Sequence, residues 1–220
     1  MASQKRIDRA LNGPGLFEVT LGVLIGITLG VVLGALYLAL KPVTILSELP
    51  ENIAAADVYF IKGEVNSFKA RQWSRKQQLL AEGGAADLVF SEEELNAWVA
   101  SATAKAPSDA TKLVTPEWVN FRIHGGVMQI GIVGKFQAFE LTQPFVIQAH
   151  GKFVPGANGF EFVADELYIG SLPTHMVPGL PQLIIQRALA AQKLPEELTT
   201  MWRNLKLVAV EDSGLHIIVP

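Results

Sequence analysis

Histidines are the residues of this sequence best suited to binding a metal or moving protons, because the chain contains no cysteine. The four histidines are His124, His150, His175 and His216, and each lies in a different segment. Metal-binding histidines usually lie four positions apart on a helix or close together in a short loop, and no pair here has such a spacing. We therefore predict no metal site.

Carboxylates are the next candidates for acid–base chemistry. Asp165 and Glu166 are adjacent, so in a strand their side chains point to opposite faces and cannot form an acid–base pair. Glu92–Glu94 directly follow Ser91, a pattern better explained by a helix cap and the helix dipole than by catalysis. The motifs of phosphate loops, dinucleotide sites and nucleophile elbows do not occur in the sequence. The sequence thus predicts a non-enzymatic protein without catalytic residues or a cofactor.

The composition narrows the class of partner. The 220 residues include 18 Lys+Arg and 21 Asp+Glu, and the net charge of -3 argues against a nucleic-acid partner. The absence of cysteine excludes thiol catalysis, zinc ribbons and iron–sulfur clusters. Half of the residues are hydrophobic, which is typical of an ordered protein with one good core.

One uncharged run near the N-terminus predicts a single transmembrane helix. It spans 22 residues, Val19–Leu40, which as a helix reach about 33 Å and cover a hydrocarbon core of about 30 Å. A cleavable signal peptide is the competing interpretation. The run is longer than the usual apolar region of about 7–15 residues, and no convincing small-residue cleavage site follows it, so we favour an uncleaved signal-anchor.

Charges beside this run predict its orientation. Lys5, Arg6 and Arg9 precede it, and by the positive-inside rule residues 1–18 form a cytoplasmic tail. Everything from about residue 41 onward is then extracytoplasmic. We expect a single-pass protein of the cytoplasmic (inner) membrane.

Four glycines repeat at every fourth position of the span: Gly22, Gly26, Gly30 and Gly34. This spacing stacks them on one helix face and allows a second backbone to approach closely. The row predicts a helix partner, either a second copy of the chain or another protein. The alternative is that glycine is simply frequent in membrane helices.

Residues 41–65 are predicted to form a tether, over about 41–51, and the start of the outer domain, and 66–220 its α+β body. A helix is expected at about 66–81, where four basic residues favour either a membrane surface or, as we prefer, a solvated face of a core-packing helix. A second helix begins after the Ser91 cap, with Leu95, Trp98 and Val99 as its buried stripe. Residues 102–116 are expected to be an exposed loop.

A β-hairpin can be registered from the sequence. With Gly125-Gly126 as a two-residue turn, apolar residues face each other on one side. The predicted pairs are Ile123 with Met128, Phe121 with Ile130, and Val119 with Ile132. Arg122 and Gln129 share the other side, and Trp118 lies opposite Val133.

Two more strands extend the sheet. Phe145, Ile147, Ala149 and Phe153 are predicted to point inward, and Gln148, His150 and Lys152 outward. Histidines 124 and 150 then share the polar face, where we expect ordinary surface histidines. A bulge near Asp165-Glu166 is needed because the apolar pattern changes parity there.

The C-terminal part is predicted to add two helices and a hairpin. The first helix covers about 181–192, with Leu183, Ile184, Ala188 and Ala191 as its stripe. The second begins at Pro195 with the stripe Leu198, Met201, Trp202 and Leu205. The hairpin turns at Asp212-Ser213-Gly214, and its inner face is Leu207, Ala209, Ile217 and Val219. The fold class is α+β: one transmembrane helix followed by an antiparallel sheet with helices packed on one face.

Ten large apolar residues on that sheet face are the candidate ligand-binding residues. A closed core is the default interpretation, and a groove for an acyl chain is the alternative. They are Phe121, Ile123, Met128, Ile130, Phe136, Phe145, Ile147, Phe153, Phe160 and Phe162.

The order of elements resembles a known family. The segments Phe90-Ser91-Glu92-Glu93-Glu94-Leu95-Asn96-Ala97-Trp98 and Leu167-Tyr168-Ile169-Gly170-Ser171-Leu172-Pro173, after an N-terminal anchor, are similar to the YpmS-like family of bacterial single-span envelope proteins. The resemblance implies a bacterial envelope protein with an extracytoplasmic α+β domain. By analogy with tubular lipid-binding folds, it implies that the domain holds lipid. It supplies no catalytic residues.

The sequence supports two hypotheses of different kinds. The first is a non-enzymatic, membrane-anchored extracytoplasmic module that binds a hydrophobic ligand, a lipid, or an envelope partner protein. The second is a structural subunit of a larger membrane complex, recruited through the glycine row of the span.

Overall fold

The computed structural model describes residues 13, 15–48, 58–64, 66, 69–81, 84–103, 114–138, 141–157, 159–190 and 196–220. The chain forms two compact units, Met1–Ala39 and Leu40–Pro220.

The first unit consists of helix α1, Leu16–Leu40. Its 25 residues are long and apolar enough to cross a membrane, and it starts three residues before the predicted span. A Cβ atom added at any of the four glycines of the row would meet no atom within 4 Å. Within the described part of the chain, the space beside the four glycines is therefore open.

The second unit is built around a five-stranded antiparallel sheet with the order β4-β5-β6-β7-β8. Each strand pairs with the next one along the chain, so the sheet is a meander. Its strands are β4 Val114–His124, β5 Val127–Ala138, β6 Leu141–Gly156, β7 Gly159–Ile169 and β8 Leu172–Pro173.

The predicted register of the β4–β5 hairpin is confirmed at every pair. Gly125 and Gly126 have φ angles of 60° and 70°. A two-residue turn of this type needs positive φ at both positions, which glycine adopts without strain. Phe121 consequently lies opposite Ile130 on one face, and Arg122 lies opposite Gln129 on the other.

The predicted bulge is also confirmed. His150 pairs with Glu166 but Gly151 pairs with Ala164, which leaves Asp165 as the extra residue of β7. The insertion changes the parity of the strand, so apolar residues before and after it share one face.

A second, three-stranded sheet has the order β3-β10-β9, formed by β3 Ala86–Phe90, β9 Leu207–Glu211 and β10 Gly214–Val219. The predicted inner face of its hairpin is wrong on β9. Glu211 pairs with Gly214, so the loop has two residues instead of three, and Ile217 lies opposite Val208. Val208 is buried, whereas Leu207 and Ala209 lie on the other side and are half-buried.

The main core lies between the two sheets. Its buried members come mostly from the smaller sheet, and residues of the larger sheet pack against them, including Phe121, Ile130 and Phe162. The α+β class and the antiparallel sheet are thus confirmed, but the smaller sheet covers much of the face that we expected helices to cover. The buried residues of this cluster are Leu88, Phe90, Leu95, Met128, Leu205, Val208, Leu215, Ile217 and Val219.

Four helices complete the second unit: α2 Lys69–Ala81, α3 Glu92–Thr103, α4 Leu180–Ala190 and α5 Glu196–Arg203. Helix α2 packs Trp73 and Leu80 on the main core. Two of its basic residues form ion pairs with α3, Lys69 with Glu93 at 3.4 Å and Lys76 with Glu94 at 2.6 Å. These contacts favour the core-packing interpretation of this helix.

The capping box of α3 is confirmed. The Ser91 amide donates to Glu94 Oε2 at 2.9 Å, and the Glu94 amide donates to Ser91 Oγ at 3.3 Å. The predicted stripe is wrong at Trp98, which is 37% exposed and stacks on Trp73, with ring centroids 4.8 Å apart. Helix α3 runs to Thr103, so it covers the start of the predicted loop; residues 104–113 lie outside the described part of the chain.

The C-terminal helices follow the predicted pattern in part. On α4, Ile184 and Ile185 pack against the sheet residues Ala149, Ala164 and Leu167, whereas Leu183 is 51% exposed. That predicted position is therefore wrong, because the buried stripe is rotated by one residue. The structure does not describe the side chains of Ala188 and Leu198 or any part of Ala191, so these predicted stripe positions are outside the described part of the chain.

The predicted tether over 41–51 is interrupted by structure. Val43 is buried with Phe60 in a second cluster. Strand β1, Thr44–Leu46, then pairs in parallel with β2, Tyr59–Ile61. Buried and paired residues of the second unit therefore occur from Val43 onward, inside the predicted tether.

Candidate functional site

The ten predicted ligand-binding residues lie on β4–β7, on the face whose parity the sequence predicted. Met128 is 1% exposed, but the other nine are only half-buried. Six of them pack against the main core: Phe121, Ile123, Ile130, Phe153, Phe160 and Phe162. Ile147 packs against the smaller cluster under α4. The ligand-binding role of these residues stays a prediction.

Phe136 and Phe145 lie further along the same face. Phe145 pairs with Gly134 and Phe136 with Gln143, so the two rings occupy neighbouring positions of β5 and β6. Both rings are half-buried. The structure therefore separates the candidate residues into a part under the smaller sheet and a part toward the other end of the strands.

A short segment crosses the opposite face of the larger sheet. We call residues 58–64, which include β2, the strap. The side chain of Phe60 in the strap is 0% exposed and lies over Gly131 of β5. Val133 and Val146 of the sheet are buried beside it. The strap therefore covers part of this face, which the sequence predicted to be the polar, outward one.

Amide side chains of the sheet bind the backbone of the strap. Gln148 was predicted to point to solvent, but it is 1% exposed because the strap covers it. These amide groups form hydrogen bonds with backbone C=O and N–H groups of the strap that would otherwise be buried without a partner. The three bonds are Gln148 Nε2 to Tyr59 O at 3.2 Å, Gln129 Nε2 to Ile61 O at 2.9 Å, and Gly63 N to Asn120 Oδ1 at 2.6 Å.

Helix α3 holds the end of the strap. Asn96 Nδ2 donates to Glu64 O at 2.9 Å and to Phe121 O at 2.8 Å, and Asn96 Oδ1 accepts from Phe121 N at 2.7 Å. Glu92 accepts from the amides of Glu64 and Ile123 at 2.7 and 2.8 Å. The glutamates therefore do more than cap the helix, because Glu92 connects α3 to the strap and to β4.

A cleft of about 260 Å³ opens beside the strap on this face. It contains both histidines that were predicted to share the face, together with Arg122. None of the described residues that line it is a carboxylate. They are Tyr59, Ile61, Arg122, His124, Val127, Gln129 and His150. We call it the strap cleft.

Strand register explains the polar row at this cleft. Arg122 pairs with Gln129, Gln129 with His150, and His150 with Glu166, so four neighbouring strands each place one polar side chain in line. The hairpin register predicted the first of these pairs. The extension to His150 and Glu166 was missed, because it depends on the register of two further strands, β6 and β7.

His150 is held by its neighbour on β7. Its Nδ1 lies 3.1 Å from Glu166 Oε2, and its buried Nε2 has no hydrogen-bond partner among the described residues. Burial lowers the pKa of His150, and the opposing effect of Glu166 is smaller. Burial also raises the pKa of Tyr168, whose ring packs on His175. Burial thus favours the neutral form of His150.

A second cleft of about 520 Å³ shares Arg122. It carries more acidic than basic residues, and Glu92 in its wall is already engaged with backbone amides. In the parts of the chain that the structure describes, no group of three or more histidines and carboxylates is arranged to hold a metal ion. The charged residues that line the second cleft are Glu48, Lys62, Glu64, Glu92, Glu93, Arg122 and Asp212.

His216 forms a separate polar cluster on the smaller sheet. Its Nε2 lies 2.7 Å from Asp87 Oδ1 and its Nδ1 lies 3.0 Å from Glu211 Oε1. The hydrogen bonds to Glu211 and then Asp87 raise the pKa of His216. Both partners are mostly solvated, and no cleft among those described includes the three side chains. The arrangement ties β3, β10 and β9 together and does not resemble a catalytic group.

Comparisons with protein-family models, with curated proteins and with solved structures find no match to this chain.

Proposed function

We propose that the protein is a membrane-anchored, non-enzymatic module whose outer domain binds a hydrophobic ligand of the lipid class on the apolar face of the larger sheet. One observation carries the proposal: nine of the ten large apolar side chains on that face retain solvent exposure. Burying such a side chain completely stabilises a fold by about 1.5–3 kcal/mol. At nine positions of this face the side chains are not completely buried, so part of that stabilisation is not realised within the chain. An apolar ligand on this face would bury the remaining surface.

The N-terminal helix supports the same proposal. It is long and apolar enough to anchor the chain in a bilayer. A chain with such an anchor is held at a membrane, where lipids are abundant.

The orientation belongs to the proposal. By the positive-inside rule, the basic residues before the helix support a cytoplasmic N-terminus and a domain on the other side of the membrane. A reporter that is active only in the cytoplasm, fused after Pro220, is expected to be silent. A strong signal from that fusion reverses the topology.

The test of ligand binding uses the full chain purified in a mild detergent. Native mass spectrometry and lipid extraction are expected to find about one co-purified lipid per chain. Phe145→Ala removes a half-buried ring outside the main core and is expected to release lipid at a cost below about 2 kcal/mol.

Met128→Ala is the matched control, because Met128 lies on the same face but is fully buried. It is expected to lower the free energy of unfolding by about 2–5 kcal/mol. Wild-type protein without lipid, together with an equally large stability loss in Phe145→Ala, contradicts the binding function.

The alternative function is a structural subunit of a membrane complex. The observation that favours it is the glycine row of α1. A Cβ atom added at any of its four glycines would have no described atom within 4 Å. A second helix has access to this face. The two functions are compatible, because the row and the sheet belong to different units.

A further inference from the structure

Arg122 is a half-buried cation without a carboxylate partner. No Asp or Glu among the described residues lies within 4 Å of its guanidinium, although other cations of the domain do form ion pairs. Glu166 ends the same polar row, but three strand spacings of about 4.8 Å separate the two positions by about 14 Å. The charge of Arg122 is therefore available in the strap cleft.

The walls of the strap cleft suit an anion with a small apolar body. Their described residues include Arg122, which carries a permanent positive charge, the apolar side chains Ile61 and Val127, and no carboxylate. The volume of about 260 Å³ is close to the lower limit of about 300 Å³ for ligand pockets, so it admits a compact molecule. Guanidinium binds carboxylate and phosphate through two parallel N–H donors.

We propose that the strap cleft binds the acidic group, carboxylate or phosphate, of a small organic anion, with Arg122 as the charged contact. His150 also lines the cleft, with its Nδ1 3.1 Å from Glu166 Oε2. His124 is exposed at the same cleft. The site lies on the opposite sheet face from the ten apolar residues, so it does not rest on the proposed lipid function.

The acidic neighbours of Arg122 set the expected strength of binding. The second cleft, which shares Arg122, carries five carboxylates, and these weaken anion binding by repulsion. We therefore expect a dissociation constant in the millimolar range, about 1 mM. The probe must be used at about ten times that concentration to reach high occupancy.

The experiment measures protection of arginine from phenylglyoxal by peptide mass spectrometry. The full chain is placed in nanodiscs of phosphatidylcholine and treated with monobutyl phosphate at about 10 mM. Modification of Arg122 is expected to slow about fivefold or more. Arg75, an exposed residue of α2, is the internal control and is expected to react at an unchanged rate.

Two variants separate binding from a general salt effect. Monobutyl phosphate is expected to raise the unfolding temperature of wild-type protein and of Arg75→Gln, but not of Arg122→Gln. Equal protection of Arg75 and Arg122, or no protection of either, overturns the proposal. An increase in unfolding temperature that persists in Arg122→Gln also overturns it.

The source of the acidic group is decided by further arms. Inorganic phosphate tests whether the apolar body contributes, and weaker protection by it than by monobutyl phosphate supports a contact with the apolar wall. Butyrate tests whether a carboxylate is preferred to a phosphate. Nanodiscs that contain phosphatidylglycerol, without soluble probe, test a lipid headgroup. Protection there supports a lipid source, and protection by soluble probe alone supports a free anion. Absence of protection in every arm overturns the site.

Discussion

Gly131→Ala is the sharpest test of how the strap is packed. A Cβ atom at this position would lie 2.0 Å from Phe60 Cε2 and 2.4 Å from Phe60 Cζ. Carbon atoms normally approach to about 3.5–4.0 Å, so the ring must move by about 1.5 Å or more. Because Phe60 is 0% exposed, there is no open space at its surface into which it can turn.

The cost follows from the contacts that this movement disturbs. Overpacking a filled core costs about 1–3 kcal/mol. Displacing the strap also weakens the bonds from Gln148 to Tyr59 and from Gln129 to Ile61, each worth about 0.5–1.5 kcal/mol. Gly131→Ala is therefore expected to lower the free energy of unfolding by about 2–6 kcal/mol.

The assay is denaturant unfolding of the full chain in detergent, followed by tryptophan fluorescence. Trp118 is a local reporter, because its ring centroid lies 5.8 Å from that of Phe60. Gly84→Ala is the matched control, since no atom lies within 4 Å of its added Cβ, and its effect is expected to stay within about 0.5 kcal/mol.

A double-mutant cycle with Phe60→Leu tests the cause directly. If the ring and the added methyl group collide, the penalty of Phe60→Leu must be smaller in the Gly131→Ala background than in the wild type. A Gly131→Ala variant as stable as Gly84→Ala, or strictly additive effects in the cycle, refutes the packing argument.

Three further outcomes are expected. Because the pKa of His216 is raised, this residue stabilises the fold fully below about pH 6.5, and the stabilisation is lost as pH rises through the folded-state pKa. His216→Gln should remove this pH dependence from unfolding curves. Asn96→Ala leaves the amide and carbonyl of Phe121 unpaired and should cost about 2–4 kcal/mol in denaturant unfolding; a loss below about 0.5 kcal/mol contradicts the network. Gly26→Leu with Gly30→Leu should weaken crosslinking through the span, and unchanged crosslinking means that the glycine row is not an interface.

Much of the local structure could be predicted from the sequence, and the reasons are local. The Gly125-Gly126 turn defined the hairpin register, because both positions need a positive φ. Ser91 and Glu94 predicted the start of α3, because each satisfies the other's backbone amide. The parity change at Asp165 required a bulge wherever the strand paired.

The hairpin at the C-terminus was harder, because its turn permits two registers. Asp212-Ser213-Gly214 can be a three-residue loop, or Gly214 can be the first residue of β10, as the structure has it. A shift of one residue moves every side chain to the other face. Packing against the larger sheet selects the register that buries Val208.

An apolar helix, an antiparallel hairpin, the bulge of β7 and the face that collects large apolar side chains could all be predicted from the sequence. What covers each face depends on tertiary packing. Tyr59 and Gln148 are 89 positions apart, and Gly63 and Asn120 are 57 apart, so no local pattern joins the strap to the sheet. An amide side chain at an outward position is compatible with solvent or with a buried backbone partner, and the choice depends on a distant segment. For the same reason the strap cleft and the free charge of Arg122 could not be predicted.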